Sequence, residues 1–377
     1  MKVAILGTRG IPAKYGGFET FAEELAVRLA QQGIDVTVYC KADNNQQPNT
    51  YKGVHLVYIP SFHLGPLTTI WFDFLCLWHA RNRFDIVYML GYGASIVCFI
   101  PRLWGNRVWL NMDGIEWARS KCGAFAKLWF KCMETAAMYM PNQLIADADG
   151  IKEHLQLRHK HMRHHVQLFH TAPVCLKFLP LLILLQEWKL YAKAYYLVVC
   201  RLEPENSVLE VIEGFIASGS SYPLVIVGDH TTRTPYVECL LRLKDDRIRF
   251  IGTVYDKLKL QALRSHSLAY FHGHTAGGTN PSLLEALGCG NIVIAHDNRF
   301  NREVAGDIAL YFTGSHDIPV LIKRIELYSS HEQEDISDKA KRRVQSKYNW
   351  DDITAKYMRL IADKPNFSIP DYTGNKK

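Results

Sequence analysis

A strand-length aliphatic run followed by a helix-length amphipathic stretch recurs along most of this chain, and that alternation limits the fold more than any other feature of its 377 residues. Residues 2–6 are apolar after Lys2 without a period of two, as in a parallel strand buried on both faces. After a glycine-rich loop, Phe18, Phe21, Ala22, Leu25, Ala26, Leu29 and Ala30 return every three or four residues, Glu19, Glu23, Glu24 and Arg28 take the other face, and Gly33 ends the run. Further strands are predicted at 36–40, 54–59, 86–90, 108–112 and 144–146, with helices near 73–80, 94–103 and 123–140. A second cycle opens with a strand at 195–200 and continues with strands at 223–227, 248–251, 268–271 and 292–295, interleaved with helical stretches at 208–217, 237–243, 258–263 and 282–287. Such repetition predicts an α/β protein of two doubly wound domains, each a parallel sheet wrapped by helices.

The alternation fails between about residues 173 and 193. The expected organisation is a first domain over 1–180, a second over 190–348, a helix at 349–363 returning to the first domain, and a polar tail at 364–377. Apolar runs at 71–78 and 178–185 fall short of the roughly 20 residues of a membrane span and are interrupted by His79, Arg81 and Arg83, or by Lys177, Gln186 and Glu187. Neither is expected to cross a bilayer, although either could lie against one. The nine cysteines are scattered without a Cys-x-x-Cys pair, and residues 1–7 lack the pattern of an export signal; both lead to the expectation of a cytoplasmic protein with free thiols.

Forty-four Lys and Arg against 37 Asp and Glu leave a net charge of +7, which favours an anionic partner. The absence of an Arg-rich helix or Cys/His finger spacing turns the reading from nucleic acid toward phosphate. Two loops suit it. Residues 7–17 hold four glycines with Arg9 and Lys14 between the first strand and helix, matching neither the dinucleotide fingerprint nor the P-loop. They either face a ligand or, at Gly7 and Gly10, only permit tight turns. In 274–288, Pro281 suits the first turn of a helix whose amides at Ser282, Leu283 and Leu284 would face an anion such as a diphosphate. Glu285, set among Leu283, Leu284 and Leu287, is poorly explained as core and could accept two sugar hydroxyls. His154, His159, His161, His164, His165 and His170, interleaved with Arg158, Lys160 and Arg163, read as a solvated basic face rather than a metal site.

The 274–288 stretch resembles the donor-binding motif of retaining GT-B glycosyltransferases, in which a glutamate, seven intervening residues and a second glutamate precede Ala-Leu/Met-Ala/Gly. Glu285 matches the second glutamate, which the resemblance implies holds the nucleotide ribose, and Gly277 stands at the first. The runs at 7–12, 15–20, 111–117, 201–206 and 296–304 are similar to a bacterial rhamnosyltransferase-like subgroup of capsule and O-antigen assembly. Arg201 matches an arginine that binds the donor diphosphate, and Asn206 replaces a usual lysine. Asp113, after Met112, falls where relatives carry His-Asp beside the acceptor, and either orients the acceptor hydroxyl, takes its proton, or only supports a turn.

The resemblance thus implies two Rossmann-like domains around a cleft, with Asp113 as the catalytic candidate. Gly16, Gly17, Arg201, Asn206, Gly277, Gly278, Thr279, Asn280, Ser282, Leu283, Leu284 and Glu285 are the implied substrate-binding set. It further implies retaining transfer of a sugar, with rhamnose the first choice, from a nucleoside diphosphate to a polyprenyl-diphosphate-linked saccharide. No cofactor or metal is expected. The basic and aromatic residues Lys127, Trp129, Phe130 and Lys131, with the 71–78 run, suit peripheral contact with an anionic membrane. A catalytically silent sugar-nucleotide-binding protein and a dinucleotide-dependent oxidoreductase remain the rival readings.

Overall fold

The computed structural model describes residues 1–13, 16–42, 47–62, 65–112, 114–118, 123–160, 166–173, 181–275 and 277–363. In the first domain the elements run β1 (Lys2–Leu6), α1 (Gly17–Gln31), β2 (Asp35–Lys41), β3 (Thr50–Tyr51), β4 (Val54–Ile59), α2 (Thr68–Ala80), β5 (Ile86–Leu90), α3 (Phe99–Leu103), β6 (Arg107–Met112), α4 (Ala124–Ala137), β7 (Gln143–Ala146), α5 (Asp149–Arg158) and β8 (Val166–Leu168). They form an eight-stranded sheet of order β3-β4-β2-β1-β5-β6-β7-β8, parallel except for the β3–β4 hairpin. The sheet buries both faces, so alternate residues of β1 serve different cores: Val3 and Ile5 face α1, whereas Ala4 and Leu6 join the cluster under α2 and α4.

The second domain contains β9 (Tyr196–Val199), α6 (Val208–Ser218), β10 (Leu224–Val227), α7 (Pro235–Arg242), β11 (Ile248–Gly252), α8 (Lys257–His266), β12 (Ala269–His272), α9 (Pro281–Gly288), β13 (Ile292–His296), α10 (Arg299–Ala305), β14 (Leu310–Phe312), α11 (Ile318–Glu326) and α12 (Ser330–Lys347). Its six strands are all parallel in the order β11-β10-β9-β12-β13-β14. In each sheet the chain reverses direction at the first strand, β1 or β9, which opens a crevice at the strand C-termini on either side of it.

The predicted helix at 94–103 is shorter than the periodicity suggests. A 3₁₀ turn at Ser95–Cys98 precedes α3, and Pro101, which has no N–H to donate, sits in the first turn of α3, where none is needed. Among the described residues no helix is long and apolar enough to cross a membrane.

The last helix, α13 (Trp350–Ala362), lies on the first domain although the chain has just left the second. Trp350 packs on Phe21 with ring centroids 5.9 Å apart, and Tyr357 meets Phe169 edge-on at 4.7 Å. The Tyr357 hydroxyl shares a hydrogen bond of 2.7 Å with Tyr88 on β5. Arg107 donates to the carbonyls of Ile361 and Asp363 at the far end. The apolar cluster under α1 therefore continues into the second domain through α13 and the inner faces of α8 and α9.

Candidate functional site

The strand C-termini of the two sheets face one another across a cleft of about 1290 Å³. The loop after β1 forms part of its first-domain wall. At Gly7 (φ 88°) a Cβ would lie 2.1 Å from the Leu90 carbonyl oxygen, and at Gly10 (φ 116°) 2.6 Å from Cys40, so these two glycines serve close chain approach. Gly16 (φ 119°) precedes α1, and Gly17 faces the other domain, where a Cβ would come 3.4 Å from the ring of Pro281. The Glu19 carboxylate accepts from the Arg9 amide at 3.1 Å and holds the loop to its helix. Asp113 and Lys14 lie outside the described residues; Asn111 and Glu116, on either side of Asp113, line the cleft.

On the second-domain wall, Arg201 follows β9 and lines the cleft with about half of its side chain exposed. Its guanidinium lies 3.4 Å from Glu203 and 3.9 Å from Glu205, the pairing that a purely structural arginine would make. Long pairs to a half-exposed arginine contribute little, so the group can turn to a stronger anion. Asn206 departs from the expected substrate role: it is buried and donates its side-chain amide to the Arg201 carbonyl at 2.7 Å. It shapes the turn that carries Arg201.

The α9 region also differs from expectation. Gly277, Gly278, Thr279, Asn280, Ser282 and Glu285 line the cleft, but the α9 amides are not left for a ligand. The Asn280 side chain caps Ser282 N at 3.1 Å, and the Asn280 carbonyl accepts from Leu283 N and Leu284 N at 3.1 and 3.2 Å. Leu283 and Leu284 point into the core. The Ser282 hydroxyl is engaged by the Tyr270 hydroxyl and the Val199 carbonyl, and Thr279 donates to the Asp147 carbonyl of the first domain at 2.5 Å.

Glu285 keeps partial access to the cleft and pairs at 2.8 Å with Arg264, a nearly buried arginine on α8. Arg264 and Lys257, both lining the cleft, escaped the sequence reading because nothing in the pattern of α8 separates them from its other basic residues. Lys257 reaches Glu23 on α1 at 3.7 Å, a second bridge between the domains. A third lies at the joint, where the Glu303 carboxylate accepts from the first amides of α5, Asp149 N at 2.7 Å and Gly150 N at 2.9 Å.

The histidine segment is not a solvated face where it is described. His154, His159 and Arg158 converge on the buried carboxylate of Glu134 at 3.1–3.3 Å, and Trp117 donates to it at 2.6 Å. Burial raises the Glu134 pKa, but the hydrogen bonds from His154 and Trp117 and the charge of Arg158 outweigh this and hold it below the ordinary carboxyl value. His170 is buried against the Asp147 carbonyl, and burial lowers its pKa. His161, His164 and His165 lie outside the described residues. Among the described residues one trio, Asp149, His170 and Glu303, brings metal-type donor atoms within 4.8 Å of one another. Its groups already serve the α5 amides, Lys347 and the Asp147 carbonyl, and none lines the cleft.

Two parallel-sheet domains facing each other by their strand C-termini across a deep cleft define the class: the architecture is that of GT-B glycosyltransferases. Within it, residues 186–350 match the family described as "Glycosyl transferases group 1", and residues 1–171 match "Domain of unknown function (DUF1972)". No curated protein matches the sequence. Among solved structures, sucrose-phosphate synthase from Thermosynechococcus elongatus superposes with a TM-score of 0.77 at 17% identity, over 96% of this chain and 98% of that one. Anabaena HepE in complex with UDP-glucose gives 0.77 at 15% identity over 96% and 99%, and a glycosyltransferase from Rickettsia africae ESF-5 gives 0.73 at 14% over 95% and 97%. At such identities the likeness establishes the shared fold.

Proposed function

We propose that this protein is a retaining, metal-independent glycosyltransferase that moves a sugar, with rhamnose first, from a nucleoside diphosphate to a polyprenyl-diphosphate-linked saccharide in surface polysaccharide assembly. The observation that carries the reading is the wall formed by Arg201, Lys257, Arg264 and Glu285, opposed by a wall from a separate domain. The leaving diphosphate gains negative charge in the transition state, and cations on the cleft wall offset it. With the α9 amides engaged by Asn280, that work rests on the side chains, Arg201 first. The Glu285 carboxylate, held by Arg264, supplies acceptors for a vicinal pair of ribose hydroxyls. UDP-glucose bound to HepE on the same fold supports a nucleotide-sugar donor. The motif resemblance supports the subgroup, the sugar and the stereochemistry.

Product analysis with UDP-, GDP- and dTDP-sugars, dTDP-rhamnose included, and a polyprenyl-diphosphate-linked saccharide tests the proposal. Full transfer in excess EDTA is expected. A requirement for Mg²⁺ or Mn²⁺ would overturn the leaving-group account, and no transfer from any donor would overturn the function.

The outer face of the first domain supports membrane contact, by residues other than some of those expected. Trp129 and Phe130 turn inward to the cleft, and Trp129 donates to the Gly93 carbonyl. Exposed instead are Trp71 and Trp78 on α2, stacked through Phe74, with Trp104 against Trp78 and Leu103 beside it in sequence. The Arg81 guanidinium covers Trp78 at 3.7 Å, and Lys127 and Lys131 are exposed on α4. Flotation with vesicles containing anionic lipid is expected to carry the protein at low salt, and Trp71→Ser with Trp78→Ser to abolish this. Equal flotation of both proteins would contradict it.

A further inference from the structure

The face of α2 turned away from the aromatic strip carries an acid. Asp73 is only 5% exposed, and its carboxyl reaches the cleft beside Thr69, Phe72, Leu90 and Tyr92. No hydrogen bond or ion pair engages it among the described residues, and burial alone sets its titration. Buried polar groups in native proteins are nearly always satisfied, so one without a partner calls for a reason. For one that opens into a ligand cleft, the reason is a partner that arrives with the ligand.

The surroundings limit what that ligand group can be. Burial pushes the Asp73 carboxyl up to about 8, so near neutrality it is mostly the uncharged acid, with one O–H to donate and oxygens to accept. The titratable groups facing it are Cys76 on the same helix and Cys98 before α3, and burial raises both thiols, which stay neutral. Among the described residues no cation shifts the titration of Asp73, as a phosphate site would need, and no group of metal-type donors includes it. An alcohol, which both donates and accepts, fits.

We infer that Asp73 holds a hydroxyl of the acceptor saccharide in the first-domain half of the cleft and so helps to select which sugar is glycosylated. This rests on the transferase reading above, with the donor on the opposite wall. The group is a specificity-determining contact, separate from the cations that meet the diphosphate.

The test compares wild type with Asp73→Asn, which keeps a donor and an acceptor, and Asp73→Leu, which keeps the fork at Cγ and loses both. The probes are UDP, GDP and dTDP by calorimetry, and octyl glycosides of glucose, galactose, rhamnose and N-acetylglucosamine by saturation-transfer NMR in the presence of the nucleotide that binds. Nucleotide affinity is expected to be equal in all three proteins. The leucine variant should bind the best octyl glycoside about tenfold more weakly than wild type, with the asparagine variant in between.

Thermal stability gives a readout that needs no ligand. A carboxyl whose folded value lies above its unfolded one contributes stability at low pH and loses it as pH rises toward the folded value. The wild-type midpoint should therefore fall between about pH 4 and pH 8, and both variants should lose that slope. Equal glycoside binding by wild type and the leucine variant would overturn the inference and leave Asp73 as a buried misfit. So would nucleotide binding by a wild type that takes no octyl glycoside. Absence of nucleotide binding in all three would instead overturn the transferase reading.

Discussion

Replacing Glu285 with alanine is expected to weaken both the fold and nucleotide binding. Arg264 is 7% exposed and Glu285 22% at a separation of 2.8 Å, so the substitution takes a carboxylate partner from a nearly buried guanidinium. Breaking a fully buried pair from one side costs about 3–5 kcal/mol, and the partial exposure of Glu285 brings the expected loss to about 2–3 kcal/mol. Nucleotide binding loses charge-assisted hydrogen bonds to the ribose, about 1.5–3 kcal/mol, or a tenfold to hundredfold drop in affinity. The two effects separate in the double variant Glu285→Ala with Arg264→Met, which removes the guanidinium as well. It should recover most of the stability and none of the affinity, by urea denaturation and calorimetry. Recovery of affinity as well would mean that the single variant loses it only because Arg264 without Glu285 disturbs the site, and would contradict a ribose contact by Glu285.

Tyr357→Ala is expected to release the last helix from the first domain. The ring lies within 4.7–6.5 Å of Phe169, Tyr88, Phe21 and Trp109, all packed on β1, β5 and β6 or beside them. Deleting a buried aromatic ring costs about 3–5 kcal/mol. The Tyr88 hydroxyl, on a fully packed strand, also loses its 2.7 Å partner. Tyr357→Phe isolates that hydrogen bond and should cost about 1–2 kcal/mol. Limited proteolysis should cut the alanine variant near 349–363 while the wild type resists, and equal protection would contradict the anchoring role of α13.

The sheets were legible because most predicted strands are short apolar runs buried on both faces, as in β5 and β10, a pattern that needs no tertiary information. The strands missed, β3, β8 and β14, have two or three residues and leave no periodic trace. The loops of the site were also legible, since a parallel α/β domain exposes functional side chains at its strand C-termini. Side-chain partners were not. That the Asn280 carbonyl takes two α9 amides, that Asn206 turns inward to Arg201, and that three basic residues around 154–159 converge on Glu134 all depend on distance between groups remote or oppositely oriented in sequence. Asp73 sits inside the apolar run at 71–78 and was not singled out; its burial and its place on the cleft set it apart.

Calorimetric titration of wild type and Arg201→Ala with UDP, GDP and dTDP tests the central claim, that the second-domain wall binds a nucleoside diphosphate. One of the three should bind wild type, and Arg201→Ala should bind it about tenfold or more weakly with its thermal midpoint little changed, because Arg201 is half exposed and its pairs with Glu203 and Glu205 are long. Failure of all three to bind, or equal binding by both proteins, would contradict the claim.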